Sequence, residues 1–85
     1  MIKRLILIDV KRVMRDKLNL RNQNILLSSK LELDLSIESW GRTLLFMEIE
    51  RSYDITFTFN EICVNKIVAD VVDIIYKKLM RIKNG

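Results

Sequence analysis

Three stretches of this chain repeat their apolar residues at close to helical spacing, and none of them can bury its apolar face without the others. Over residues 2–18, the residues Ile2, Ile6, Val10, Val13 and Met14 fall within one arc at about 100° per residue. Arg4, Lys11 and Arg15 lie across from them. Over residues 66–82, Val68, Val72, Ile75 and Leu79 form a second such stripe with Val71 beside it. Lys77, Lys78, Arg81 and Lys83 suit the negative C-terminal end of that helix, and Asn84-Gly85 closes it. The middle stretch, 39–52, carries two apolar faces. Leu45 and Ile49, with Phe46 and Tyr53 nearby, make one; Trp40, Leu44 and Met47 make the other, with Arg51 a turn further on. Ser39 is read as the N-cap, its hydroxyl accepting from a free first-turn N–H. Arg42 stands where a capping box would need Glu or Gln.

The two segments between these helices read differently. Asn19, Asn22, Gln23, Asn24, Ser28 and Ser29 mark a long connection. It continues into Leu31, Leu33, Leu35 and Ile37, which alternate with Glu32, Asp34 and Ser36. From Tyr53 to Asn60 the chain alternates again, with Ile55, Phe57 and Phe59 on one side. A period of two taken alone signals a half-buried strand. Pattern therefore leaves open both a small α+β domain and a helical bundle plugged by extended loops.

Composition removes several function classes. With 85 residues the chain buries roughly 60% of its unfolded surface, which leaves no room for two domains or a large enclosed active site. There is no histidine, so the commonest general base and metal ligand is missing. Two glycines, Gly41 and Gly85, cannot build a phosphate-cradling loop. The lone Cys63 cannot form an internal disulfide; it reads as a small buried apolar residue in a reducing, cytoplasmic setting. No apolar run approaches a membrane span. The start, Met1-Ile2-Lys3-Arg4-Leu5-Ile6-Leu7-Ile8, is basic then apolar like a secretory signal. Charge returns at Asp9, Lys11 and Arg12 without a small-residue cleavage site, so it is read as part of one domain spanning 1–85.

The net charge of +4 is unevenly distributed. Residues 1–30 hold eight Lys/Arg against two Asp, for +6. Residues 31–65 hold two Arg against seven acids, for −5, and residues 66–85 hold five Lys/Arg against two Asp, for +3. An acidic centre between basic ends can steer partners over about a Debye length. Merely solvated polar faces would give the same counts.

The centre of the chain carries a family likeness. Asp34-Leu35-Ser36-Ile37-Glu38-Ser39-Trp40 resembles the Asp-Leu-Gly-x-Asp-Ser-Leu signature of acyl carrier proteins, whose serine bears 4′-phosphopantetheine. Leu45-Phe46-Met47-Glu48-Ile49-Glu50-Arg51-Ser52-Tyr53-Asp54-Ile55 looks like the family's second helix and its Glu-x-x-Phe-Asp-Ile ending. Lys66-Ile67-Val68-Ala69-Asp70-Val71-Val72-Asp73-Ile74-Ile75 is similar to the Thr-Val-Gly-Asp-Leu-Val-Asp-Tyr-Ile stretch of its last helix. The three blocks fit in register without gaps and cover nearly the whole chain. Ser39-Trp40-Gly41 with Ile49-Glu50 is most like D-alanyl carriers and some stand-alone peptidyl carriers. The chain departs from the pattern where Glu38 replaces Asp, Ser36 replaces the turn glycine, and Leu44 replaces a partner-binding Glu. The proline usual after Asp-Ile-x-x is absent, and the net charge is basic where the family is acidic.

The resemblance implies an all-α, four-helix carrier bundle with a long first loop and a short third helix. Helices are then expected near 2–18, 39–52, 59–64 and 66–82, with Leu33, Leu35, Ile55 and Phe57 inside. It implies an acyl or aminoacyl carrier in a specialised biosynthetic pathway (polyketide, nonribosomal peptide or related), with the covalent arm, donated by coenzyme A, on Ser39. It implies a recognition surface of Glu38, Trp40, Leu44, Met47 and Arg51. Partners would be a phosphopantetheinyl transferase, a loading enzyme and a downstream synthase or transferase, with the carrier a monomer or weak dimer. Independent catalysis is not expected, since Asp34 and Glu38 are surface acids with no implied pocket. Neither a metal, nor nucleic acid, nor membrane insertion is expected. Three alternatives stay open: the stripe of Trp40, Leu44 and Met47 covered by Leu31, Leu33 or Leu35, a carrier-like interaction module without the arm, and a basic nucleic-acid-binding helical domain using Arg4, Lys11 and Arg15.

Overall fold

The computed structural model describes residues 2–21 and 23–84. Met1, Asn22 and Gly85, assigned above to the N-terminal segment, the long connection and the chain end, lie outside the described residues. Four helices follow in order: α1 (Ile2–Lys17), α2 (Ser39–Tyr53), α3 (Phe59–Val64) and α4 (Val68–Asn84). No strand occurs among the described residues, and the one β-type pairing is an isolated antiparallel bridge between Lys30 and Ile67. The open choice between α+β and all-α resolves to all-α.

One apolar cluster joins these elements. α1 supplies Ile6, Val10 and Met14, α2 supplies Leu45, Phe46 and Ile49, and α4 supplies Val68, Val71, Val72 and Ile75. Each set follows helical spacing, so each helix turns a single face inward. The long connection adds Ile25, Leu31, Leu35 and Ile37, and the α2–α3 link adds Ile55. Phe57 is half-buried and meets Phe46 edge-to-face, with ring centres 4.8 Å apart.

Leu33 was expected inside and is instead 77% exposed. The reason is that 30–36 turns rather than extends. The N–H groups of Asp34 and Leu35 donate to the Lys30 carbonyl at 3.0 and 3.1 Å, and that of Ser36 donates to Glu32 at 3.0 Å. At that pitch Leu31 and Leu35, four apart, share a side, while Leu33 lies half a turn away. The alternating letters thus hid one helical turn.

The same connection closes the start of α4. The N–H groups of Val68 and Ala69, unpaired within their own helix, donate to the carbonyls of Ser29 (3.0 Å) and Leu27 (2.9 Å). Leu31 N–H donates back to Lys66 at 2.9 Å. Lys66 and Ile67 are occupied in this pairing, so α4 begins two residues later than its sequence pattern suggests. Ser29 is buried, its hydroxyl accepting from Leu26 N–H at 2.9 Å.

The remaining ends close by local chemistry. Past α1, Asn19 takes a left-handed conformation (φ 60°), which asparagine tolerates well. After α2, Asp54 is left-handed (φ 56°), and its N–H and that of Ile55 both meet the Glu50 carbonyl. Tyr53 donates its hydroxyl to Asp9, joining α2 to α1. Burial first, and then this bond to a carboxylate, push its phenol far above the ordinary range. Lys3 pairs with Asp73 at 3.1 Å and lies over the Tyr76 ring, joining α1 to α4.

A capping box opens α3: Thr58 Oγ1 accepts from Glu61 N–H at 3.1 Å, and Glu61 Oε1 accepts from Thr58 N–H at 2.8 Å. Lys78 of α4 adds an ion pair to Glu61 at 3.0 Å. The Thr58 N–H is the main cause that holds the Glu61 carboxyl below its usual range, with Lys78 assisting and burial opposing. A carboxyl lowered in the folded state stabilises fully above its unfolded value and loses that contribution as pH falls. Urea titrations should therefore show Thr58→Ala less stable by about 1 kcal/mol at neutral pH. Glu61→Gln should lose less stability than the parent on acidification below about pH 5.

Candidate functional site

Ser39 lies at the first turn of α2, after a connection that must leave the core at Ile37 and start a helix two residues on. Ser36 makes that change of direction in a left-handed conformation, φ 55°. Ile37 is buried, and its N–H donates to the Leu31 carbonyl at 2.8 Å. Glu38 then takes the N-cap position in an extended conformation. Ser39 is consequently the first residue of the helix and not its N-cap, as its side-chain chemistry had suggested. The Glu38 carboxylate does not cap the helix either: Oε2 accepts the Trp40 indole N–H at 2.9 Å. With no side-chain cap, the first-turn N–H groups and the positive end of the helix dipole remain open beside an exposed serine hydroxyl.

Gly41 makes this tight entry possible. A Cβ there would lie 3.2 Å from Ile37 Cγ2 and 3.6 Å from Leu18 Cδ2, so the loop and the end of α1 close directly on the glycine. A small hollow beside the serine, about 40 Å³, lies between Leu18, Leu20, Ser36, Ile37, Glu38, Trp40 and Gly41. The surroundings of Ser39 are a surface and not a pocket.

The other expected residues divide. Trp40 and Met47 are 65% and 54% exposed. Leu44 between them is half-buried, and Arg51 is exposed and 3.9 Å from Glu48. Leu31 and Leu35 belong to the core and Leu33 faces solvent, so the connection leaves Trp40 and Met47 open. On α3, Phe59, at 80% exposure, and Val64 are also outward apolar residues. Sequence reading placed Phe59 on a common side with Ile55 and Phe57; the helix that starts at Phe59 breaks that alternation.

The acidic centre is mostly committed to local bonds. Glu50 Oε2 accepts Phe57 N–H at 2.8 Å, Glu61 holds Lys78, and Asp34 Oδ2 accepts Lys30 N–H at 2.8 Å. Asp34 and Glu38 are thus tied to separate partners, the Lys30 N–H and the Trp40 indole. Cys63 is half-buried rather than buried, and its carbonyl receives Arg42 Nη1 at 3.5 Å. Arg4 and Arg15 are exposed on the outer side of α1 beside Leu5 and Ile8, with no aromatic residue on that helix. Among the described residues no three His, Cys, Asp or Glu side chains gather as a metal site needs, and no helix is long and apolar enough to cross a membrane.

Among known proteins, no family model matches this chain, and no curated protein sequence matches it.

Two substitutions probe the geometry around Ser39. Ser36→Gly should raise stability by about 0.5–1 kcal/mol, because relief of the left-handed strain exceeds the extra freedom glycine gives the unfolded chain. Gly41→Val should lower it by about 1–3 kcal/mol through crowding against Ile37 and Leu18. Equal urea midpoints for parent and variants would contradict this account of the turn.

Proposed function

We propose that this chain is an acyl or aminoacyl carrier with an acyl-carrier-like bundle, and that Ser39 is the attachment point of a 4′-phosphopantetheine arm. The observation that carries the reading is the state of Ser39. It is exposed on an uncapped first helical turn, inside a signature-like segment whose usual glycine position, Ser36, is left-handed here. A glycine adopts that conformation without strain, so the backbone fits the signature even where the residue departs from it.

The protein's part is attachment and presentation. Free N–H groups and the helix dipole favour a phosphate ester on Ser39 Oγ. When bound, the arm supplies a terminal thiol on which cargo rides as a thioester. Trp40, Met47 and the edge of Leu44 form an apolar strip for partner enzymes, with Glu38 and Arg51 supplying charge at its borders. Such a strip beside the modified residue lets a transferase, a loading enzyme and a downstream synthase or transferase share one surface in turn. Leu44 in place of an acid gives recognition a more apolar basis than in acidic carriers. Catalysis then resides in the partners, in a specialised pathway.

An armless interaction module is the second reading, favoured by the exposure of Trp40, Met47 and Phe59. Incubation with coenzyme A and a broad-specificity phosphopantetheinyl transferase separates the two. Intact mass should rise by one phosphopantetheine group in the parent and stay unchanged in Ser39→Ala. An unmodified parent beside a modified control carrier would favour the module. Salt-sensitive retention of oligonucleotides by such an unmodified parent would point to the basic face of α1.

A further inference from the structure

The pairing of the long connection with the α3–α4 junction encloses a second feature, a cleft of about 190 Å³ lined by Lys30, Glu32, Leu33, Arg42, Lys66 and Ile67. The Lys30–Ile67 bridge and the Leu31–Lys66 hydrogen bond hold two lysines on the same small cleft, where like charges repel. The nearby acids do not relieve this. Asp34 and Asp70 turn their carboxylates to the backbone N–H groups of Lys30 and of Lys66 and Ile67. Neither lysine, nor Arg42, nor Glu32 joins an ion pair among the described residues. Arg42 is also half-buried, with Nε enclosed and without a hydrogen-bond partner. The guanidinium keeps one bond, from Nη1 to the Cys63 carbonyl at 3.5 Å, and with no carboxylate partner its charge is left to meet an anion. Three cations thus face one carboxylate across walls supplied by Leu33 and Ile67.

We propose that this cleft receives the free carboxylate end of a short, dicarboxylic-type cargo carried on the Ser39 arm; the proposal rests on the carrier reading above. Lys30, Lys66 and Arg42 take the carboxylate, and Leu33 and Ile67 take the methylenes. The volume lies below the roughly 300 Å³ at which small-molecule pockets usually begin, which selects short chains over long fatty ones. Arg42 follows Ser39 by three residues, a rise of about 4.5 Å along the helix. Tethered cargo is therefore held close to the cleft at a high effective concentration.

Amide NMR of the full chain tests this in two steps. On unmodified protein, butyrate should shift the amides of Lys30, Arg42, Lys66 and Ile67, while its neutral isostere butyramide should not. The Lys30→Ala/Lys66→Ala double variant, altered only at exposed positions, should lose the shifts while keeping the rest of its spectrum. On protein loaded from acyl coenzyme A, the glutaryl form should shift these amides and the pentanoyl form should not. Equal shifts from both loaded forms, or the same shifts from the unacylated arm, would overturn the proposal, the latter by making the arm's own phosphate the anion. If no arm is transferred, the carrier reading fails and the butyrate titration alone decides the cleft: absence of shifts there eliminates it.

Discussion

The start of α4 is closed by the long connection, and most of the architecture depends on that contact. Two N–H groups without helical partners find the carbonyls of Leu27 and Ser29, and the Leu31 N–H returns a bond to Lys66. With its backbone satisfied in this way, the connection can lie against the helices and bury Ile25, Leu31, Leu35 and Ile37. It would otherwise be a surface loop, and three helices would be left to cover one another. Its far end is fixed as well: Ile37 is anchored in the core, Ser36 turns, and α2 begins with Ser39 facing water. The exposed serine is thus a consequence of how α4 is capped.

A small bundle of this kind separates holding together from presenting. The inner face of α2, Leu45, Phe46 and Ile49, contributes to the core, and its outer face contributes nothing to burial at Trp40 and Met47. Nonpolar surface left in water beside an uncapped helix start has no stabilising role that the fold explains, which is the support for the partner surface proposed above. The acids behave oppositely. Glu50, Glu61 and Asp34 are spent on backbone N–H groups or a lysine, so the negative balance of 31–65 is largely structural.

The helices were legible because a helix needing burial on one side writes a 3.6-residue stripe: Ile6, Val10 and Met14 in α1, and Val68, Val72 and Ile75 in α4, are both stripe and core. The segment 30–37 was not, because a single helical turn and a short strand place apolar residues at overlapping positions. Leu31 and Leu35 satisfy both periods, and only Leu33 distinguishes them. The N-cap was misplaced by one residue for a related reason. Ser39 has good capping chemistry, but the cap goes to the last residue with extended backbone, and the turn at Ser36 puts that at Glu38. The cationic cleft had no sequence signal at all, since Lys30, Arg42 and Lys66 are far apart along the chain.

Sequence by itself determined which faces of α1 and α4 had to be buried and that a serine would stand near the start of the middle helix. These follow from local rules: periodicity, side-chain capping and the lack of helix breakers. Tertiary structure alone decided that the two alternating segments are loops, that Leu33 faces out while Leu35 faces in, and that the long connection leaves Trp40 and Met47 uncovered. It also brought two lysines and an arginine onto one cleft. The physical reason is that each of these depends on where distant backbone groups find hydrogen-bond partners. That depends on which segments lie side by side, a matter no local window of residues contains.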